Sequence, residues 1–440
     1  SIAPANKREA QPWLMVRALP SGGGARATRQ LHCSAAVAGL EARAWRVMAL
    51  LSERAEGALP AAATLAAAVR LAQLVSRRSP PGRLLLLTRG AQAPTTAAPS
   101  VGAAHGGWWG LARVLRLEHP SLGVVTSDVA PASGLGVAAL TSDAQSAGEA
   151  EVAWAGGARH AARLRRGGAV GAAGGSAAAR GAWLITGGLG GLGVRGASVL
   201  AERGASALVL TSRSGRVARG GQGLEARLRG VAASGGAASV WVVACDGGDA
   251  SEAVGGAAAA GPLSGVLHAA GVLADRLAQR MEAQQVASVL SPKAAAAAHA
   301  HAATAQAPLA AMVLYSSVAS AYGNVGQASY AAANAHLDWL ALWRCAHAAA
   351  ASSLQLPAVR GAGMGAAAFD ERQMRFKGMA AISLEEYAAS LQGVVSRGQV
   401  GCPLPAGVER LRSSVGDASQ PLFAELLVSS SPAAPSPAPL

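Results

Sequence analysis

The sequence predicts an α/β fold built on a doubly wound parallel sheet, and three observations carry that expectation. Apolar, strand-like runs alternate with helical patterns along most of the chain. One of those strands, Ala182–Thr186, runs directly into a glycine-rich turn and then a helix. Between Lys293 and Asp338 no residue is charged, yet His, Gln, Ser and Asn recur with glycines at 323 and 326, which suits a buried α/β interior and not a bilayer span.

The elements follow in order. The first half carries an unbroken Leu84–Leu87 strand, a helix opening at Trp108-Trp109-Gly110-Leu111, and a strand at Val124–Val129. No glycine fingerprint follows these strands, so residues 1–165 read as a second, smaller α/β unit without its own cofactor site. Residues 166–180 lack periodicity and read as a flexible linker. Residues 181–427 hold strands near Trp183–Thr186, Ala207–Thr211, Val240–Cys245, Ser264–His268, Ala311–Tyr315 and Ser353–Leu356. Residues 428–440 have the Ser/Pro/Ala composition of an extended tether.

A length of 440 residues accommodates two or three domains. The net charge of +14, from 38 basic and 24 acidic residues, calls for a polyanionic partner: a cofactor phosphate, an acidic carrier protein or nucleic acid. Arginines are dispersed without a dense basic run or interleaved aromatics, which makes nucleic acid the weakest of the three, and no nucleic acid is expected. No membrane partner is expected, since the uncharged stretch reads as buried interior. Cys33, Cys245, Cys345 and Cys402 are scattered without metal-binding spacing, which points to no metal and to a reducing, cytoplasmic compartment. No cationic segment followed by an apolar core marks a secretory signal.

The run Thr186, Gly187, Gly188, Leu189, Gly190, Gly191, Leu192, Gly193 has the chemistry of a pyrophosphate cradle. Its glycines let the backbone approach the ligand, and the following helix presents free N–H groups and a positive dipole end. The acidic residue that would grip an NAD ribose is missing at the end of the next strand; Ser212, Arg213 and Ser214 stand there instead. A guanidinium flanked by hydroxyls suits a 2′-phosphate, so the expected cofactor is NADPH.

Reduction of a ketone by a nicotinamide needs a proton donor at the carbonyl oxygen and a group that acidifies it. Tyr330 and Asn334 share a helix face at i and i+4, and Ser317 ends the strand Met312–Ser316, placed to hydrogen-bond the same oxygen. Lys293 is the cation of this uncharged neighbourhood, and its charge is expected to favour the tyrosinate and depress the tyrosine pKa.

At these residues the chain resembles the short-chain dehydrogenase/reductase superfamily, and more closely the ketoreductase domains of modular type I polyketide synthases. Most of the superfamily places a lysine four residues after the tyrosine; here Asn334 holds that place and the lysine comes earlier, as in polyketide ketoreductases. The resemblance implies a Rossmann-like catalytic subdomain preceded by a truncated Rossmann-like structural one, the latter signalled by Trp109-Gly-Leu-Ala-Arg113 and Leu117-Glu-His-Pro120. It makes Tyr330 the proton donor, Ser317 the carbonyl-orienting residue, and Lys293 with Asn334 the rest of the relay. Ala270 and Gly271, in His268-Ala-Ala-Gly271, would line the cofactor path; Asp246 would contact the adenine or serve as a helix N-cap.

Substrate contact and stereocontrol are implied for Asp275, Tyr322, Gln327 and Met364, the last in a Gly361–Gly365 segment that resembles the family's substrate lid. Leu273-Ala274-Asp275 keeps the final aspartate of the Leu-Asp-Asp motif, and Tyr322 stands where the other stereochemical class has tryptophan, which leans toward the B-type alcohol. Leu356-Pro357 replaces the common Trp-Gly and alters the expected nicotinamide wall. The function implied is NADPH-dependent reduction of a β-ketoacyl thioester carried on an acyl carrier protein by phosphopantetheine, alongside other domains of the same synthase. The rival is a reduction-incompetent scaffold domain of that synthase.

Overall fold

The computed structural model describes residues 13–18, 47–52, 58–60, 62–77, 83–92, 102–130, 148–164, 179–217, 223–233, 239–361, 363, 381–395, 400–401 and 421–425. They form two sheets. The first runs in chain order β1 (Trp13–Ala18), β2 (Val47–Ser52), β3 (Arg83–Arg89), β4 (Val125–Val129), β5 (Glu151–Ala155) and β6 (Ala158–Ala161). Its pairs are parallel up to β5, and β6 returns antiparallel through Gly156 and Gly157, whose φ angles of +56° and +77° allow the two-residue turn. Helices α1 (Ala62–Ser76) and α2 (Gly107–Glu118) belong to this half.

The second sheet contains β7 (Gly181–Thr186), β8 (Ala205–Ser212), β9 (Ser239–Ala244), β10 (Leu263–His268), β11 (Ala311–Ser317), β12 (Ser352–Leu356) and β13 (Val400–Gly401). Their spatial order is β13-β12-β11-β10-β7-β8-β9, all parallel. Its helices are α3 (Gly191–Glu202), α4 (Leu224–Ala233), α5 (Ala250–Ala258), α6 (Ala283–Leu290), α7 (Ala296–Ala303), α8 (Val318–Tyr322), α9 (Ala328–Ala346) and α10 (Leu384–Val395), with a π-helical turn at Ser291–Ala295 joining α6 to α7. The chain leaves β7 for β8 on one side and later places β10 on the other. This reversal opens a crevice at the carboxyl ends of the strands, where such sheets bind ligands.

The Rossmann-like α/β class is the one expected, and each strand foreseen in the second half is present. The first half is fuller than expected: β1, β2 and the β5–β6 hairpin went unseen. Beyond the residues described lie most of the expected linker, the tether, Cys33, Cys402 and Met364 with most of the expected lid. Leu164 N–H, just past β6, donates to Leu422 O at 2.8 Å. Among the described residues no helix is long and apolar enough to cross a membrane.

The halves share one core. Trp108, Trp109 and Leu111 of α2 pack with Ala331 and Ala332 of α9 and with Val286 and Val289 of α6, all at most 2% exposed. Contact between α2 and α9 is backbone-close: a Cβ on Gly110 would lie 2.3 Å from Ala331 O, and one on Gly106 would fall 2.0 Å from the Trp339 ring. Only glycine fits there.

Polar ties reinforce the apolar ones. Arg113 donates from Nε and Nη2 to Glu151 at 2.8 and 2.6 Å and from Nη1 to Ser320 O at 2.5 Å, while Arg116 Nη1 reaches Glu151 at 2.6 Å. Burial pushes the Glu151 carboxyl up, but Arg113 and Arg116 overrule it and bring the pKa down to about 2.

Candidate active site

A cleft of about 1100 Å³ lies at the carboxyl ends of β7 to β10. Its floor is the glycine turn between β7 and α3. Gly187 has φ +67°, and a Cβ there would sit 2.7 Å from Ala270 Cα; a Cβ on Gly193 would sit 2.4 Å from Gly187 O. A Cβ on Gly188 would lie 2.7 Å from Ile185 O, and its N–H donates to Thr211 O at 3.0 Å. Thus the turn is compact because these positions lack side chains. Helix α3 begins with Gly190 as N-cap, no side-chain cap and no acidic residue in its first turn, so its N–H groups are left for an anion.

Every residue expected to hold a cofactor lines this cleft except Gly188, which lies beneath and ties the turn to β8: Thr186, Gly187, Leu189, Gly190, Gly191, Leu192, Gly193, Ser212, Arg213, Ser214, Asp246, Ala270 and Gly271 all face it. Arg216, one turn beyond Arg213, also lines it and was not foreseen. These features fit a dinucleotide: a side-chain-free cradle, an uncapped helix N-terminus and two guanidiniums at the far strand. Asp246 is not the N-cap; Asp249 caps α5, accepting from Ser251 N at 2.8 Å and Glu252 N at 3.1 Å. Asp246 instead accepts Gly248 N at 2.9 Å, shaping the turn after β9.

None of the four expected catalytic residues lines this cleft; Lys293 adjoins it, following Pro292 and approaching Ala270 O, both of which belong to the lining. Lys293, 3% exposed, sits in the π-helical turn and donates from Nζ to Tyr315 O at 2.9 Å, with Ala270 O at 3.4 Å. Its Nζ stands 5.7 Å from the centre of the Tyr330 ring. Burial lowers its pKa to about 8 against the opposing charge of Asp338. Ser317 is the N-cap of α8, its Oγ accepting from Ala319 N at 3.2 Å, which leaves its own proton free for another acceptor. Asn334 donates its amide to Tyr330 O at 2.8 Å, and no donor among the described residues reaches its buried Oδ1.

The pKa of Tyr330 departs from expectation. Burial raises it above the ordinary tyrosine value, and the polar side chains of Asn334 and Ser317 pull only partly against this. Lys293 does not produce the expected depression, because its ammonium is spent on two main-chain carbonyls and stands over the ring face.

His268 was overlooked as more than a motif letter. It is fully buried on β10; its Nε2 lies 2.8 Å from Lys293 O and its Nδ1 2.6 Å from Thr186 Oγ1. A carbonyl only accepts, so Nε2 carries the proton and Nδ1 accepts from the Thr186 hydroxyl. Burial, with Lys293 nearby, lowers the His268 pKa to about 3, and the ring stays neutral. One imidazole thereby joins the glycine turn to the lysine. Asp338 on α9 was also missed as a site element: buried, it accepts Ser320 Oγ at 2.6 Å, Ser353 Oγ at 2.5 Å and Gln355 Nε2 at 2.8 Å, binding α9 to α8 and β12 beneath Ser317.

Asp275 and Gln327 are brought together: Gln327 Nε2 donates to Asp275 Oδ2 at 3.0 Å and Oδ1 at 3.3 Å. Tyr322 closes α8 close to Arg113. Leu356 is 6% exposed, in the core with Leu354 and Val359. Among the described residues no cluster of His, Cys, Asp or Glu could hold a metal ion.

The family model described as the KR domain matches residues 181–361. A solved structure titled as an A1-type ketoreductase is 31% identical, covers 87% of this chain and 83% of its own, and superposes with a TM-score of 0.76. Another, an A-type ketoreductase from a modular polyketide synthase, is 32% identical with a TM-score of 0.75 over the same shares. Polyketide synthase GfsB of Streptomyces halstedii is 46% identical over 179 residues, which are 40% of this chain and 3% of that protein. Polyketide synthase GfsA of the same organism is 40% identical over 261 residues, 57% of this chain and again 3% of the relative, so the chain spans a small fraction of these curated proteins. Together with the two-sheet architecture and the glycine turn, these likenesses establish that the chain belongs to the ketoreductase domains of modular polyketide synthases.

Proposed function

We propose that the chain reduces the β-keto group of an acyl thioester presented on the phosphopantetheine arm of an acyl carrier protein, with NADPH as cofactor, within a larger synthase. The observation that carries this reading is the convergence of Tyr330, Ser317, Asn334 and Lys293 behind a cleft whose glycine turn can take a pyrophosphate. We also infer a division into a structural part (1–165), a linker (166–180), a catalytic part (181–427) and a tether (428–440), supported by the first sheet ending at Ala161 and the second starting at Gly181.

NADPH, when bound, supplies the hydride. Thr186 through Gly193 would hold its pyrophosphate, and Arg213 with Arg216 its 2′-phosphate, flanked by Ser212 and Ser214. Ser317 Oγ–H donates to the substrate carbonyl oxygen, which can only accept, while one of its lone pairs accepts from Ala319 N. Tyr330 carries the proton that the reduced carbonyl needs, and its raised pKa keeps it protonated at neutral pH. Lys293, with a pKa near 8, is poised to return a proton to that neighbourhood, and Asn334 Oδ1 is the acceptor available to hold an intervening water or hydroxyl. Asp275 and Gln327 form the rim that meets the acyl chain, and the retained aspartate favours the B-type alcohol.

Tyr330→Phe tests the reading. NADPH consumption with S-ethyl acetothioacetate should fall by about a hundredfold or more, with NADPH binding measured by fluorescence unchanged. Undiminished turnover would overturn the assignment, and wild-type protein that binds NADPH without turnover would favour the scaffold alternative.

A further inference from the structure

We infer that Glu118, in the first half of the chain, is a positioning residue that sets the specificity of the active-site rim. Its carboxylate at the end of α2 accepts two main-chain N–H groups: Ala278 N on Oε2 at 2.7 Å and Gly326 N on Oε1 at 2.8 Å. Those groups belong to the two loops carrying Asp275 and Gln327. The loops are also joined to each other, by Arg276 N to Gly326 O at 2.7 Å and by the Gln327 amide on Asp275. Gln73 of α1 adds a second grip on the first loop, donating to Ala278 O and Met281 O at 2.8 Å each.

The arrangement is specific to a carboxylate. Each oxygen faces a donor, so an amide would retain one acceptor and turn its NH₂ toward the other N–H. Charge-assisted bonds to main-chain N–H are among the stronger protein hydrogen bonds, and Glu118 spends both on backbone that carries no side-chain chemistry of its own. What they fix is the placement of the Asp275–Gln327 pair relative to Tyr330, which follows Gln327 by less than one helical turn, and hence which face of the carbonyl is turned to the hydride while its oxygen meets Tyr330.

This rests on the ketoreductase reading, and the experiment separates the two. Wild type, Glu118→Ala, Glu118→Gln and a remote core variant, Leu85→Ala, are compared with S-ethyl acetothioacetate and NADPH by steady-state kinetics and chiral analysis of the alcohol. Leu85 packs on the outer face of the first sheet with Leu87 and Trp154. Glu118→Ala should raise KM for the thioester and lower the ratio of the two alcohol enantiomers, each by about tenfold, with NADPH affinity unchanged. Glu118→Gln should lie between, and Leu85→Ala should lower the melting temperature while leaving the enantiomer ratio intact. An unchanged ratio and KM in Glu118→Ala, or an equal change in Leu85→Ala, would overturn the proposal. Should Glu118→Ala fail to fold, Glu118→Gln decides on the same criteria. Wild type that does not reduce the thioester would refute the underlying function and not this role.

Discussion

Gly110→Ala probes how closely the two halves must approach. The added Cβ would meet Ala331 O at 2.3 Å, Ala331 C at 2.6 Å and Ala335 Cβ at 2.9 Å, whereas ordinary contacts begin at 3.4 Å. The obstacle is main chain and cannot rotate away, so α2 and α9 must part by about 1 Å, enough to forfeit a quarter to a half of the dispersion energy of the contacts around it. Overpacking of this kind costs about 1–3 kcal/mol, offset by about 1 kcal/mol of helix propensity gained by alanine. The expected net loss is at most about 2 kcal/mol, read as a lower urea midpoint at unchanged slope. The catalytic effect should exceed the stability effect, because Ala331 follows Tyr330 directly, and a shift of about 1 Å in a reacting group costs on the order of a hundredfold in kcat. Gly255→Ala is the control: it sits exposed in α5 with nothing within 4 Å of the new Cβ, and should gain about 0.5–1 kcal/mol without altering turnover. Turnover within twofold of wild type in Gly110→Ala would refute the reasoning.

Two further outcomes are expected. Arg213→Ala should lower the NADPH/NADH preference in kcat/KM by about ten- to a hundredfold, with a further drop on adding Arg216→Ala; an unchanged ratio in the double variant would remove both from the phosphate site. Stability should fall on acidification: burial holds His105 and His336 at about 4 and His268 at about 3, against 6.5 when exposed, so the unfolded chain takes up protons first. The contribution is complete above pH 6.5 and is lost as pH falls toward 4 for His105 and His336 and toward 3 for His268, by about 2 kcal/mol per histidine at pH 5; equal denaturant midpoints at pH 7.5 and pH 5 would contradict this.

What could be read from the chain alone was the part encoded locally. The strand, glycine turn and helix at 181–202 are contiguous, and Ser212-Arg213-Ser214 follows at the end of the next strand, so spacing was enough to find the cleft. Tyr330 and Asn334 declared themselves by one helical turn. By contrast, Glu118 meets its partners across 160 and 208 residues, and no periodicity or motif announces such a bond. The glycines at 106, 107 and 110 looked like ordinary composition in a glycine-rich chain until α9 was laid against them. The Tyr330 pKa was misjudged for a related reason: charge is visible in sequence, whereas desolvation and the carbonyls that occupy Lys293 are products of the fold. Strands β5 and β6 are short and partly solvent-facing, too weakly patterned to stand out.

The π-helical turn at Ser291–Ala295 carries a further implication. A π turn differs from an α turn by one residue, and one residue rotates the following side chains by about 100°. Removing a single residue from that turn would regularise the helix and swing Lys293 off the buried side where it meets Tyr315 O. The displacement of lysine from the catalytic helix to an earlier one is therefore a matter of reading frame within a helix as much as of residue identity. A transplanted lysine would need the extra residue as well as the substitution.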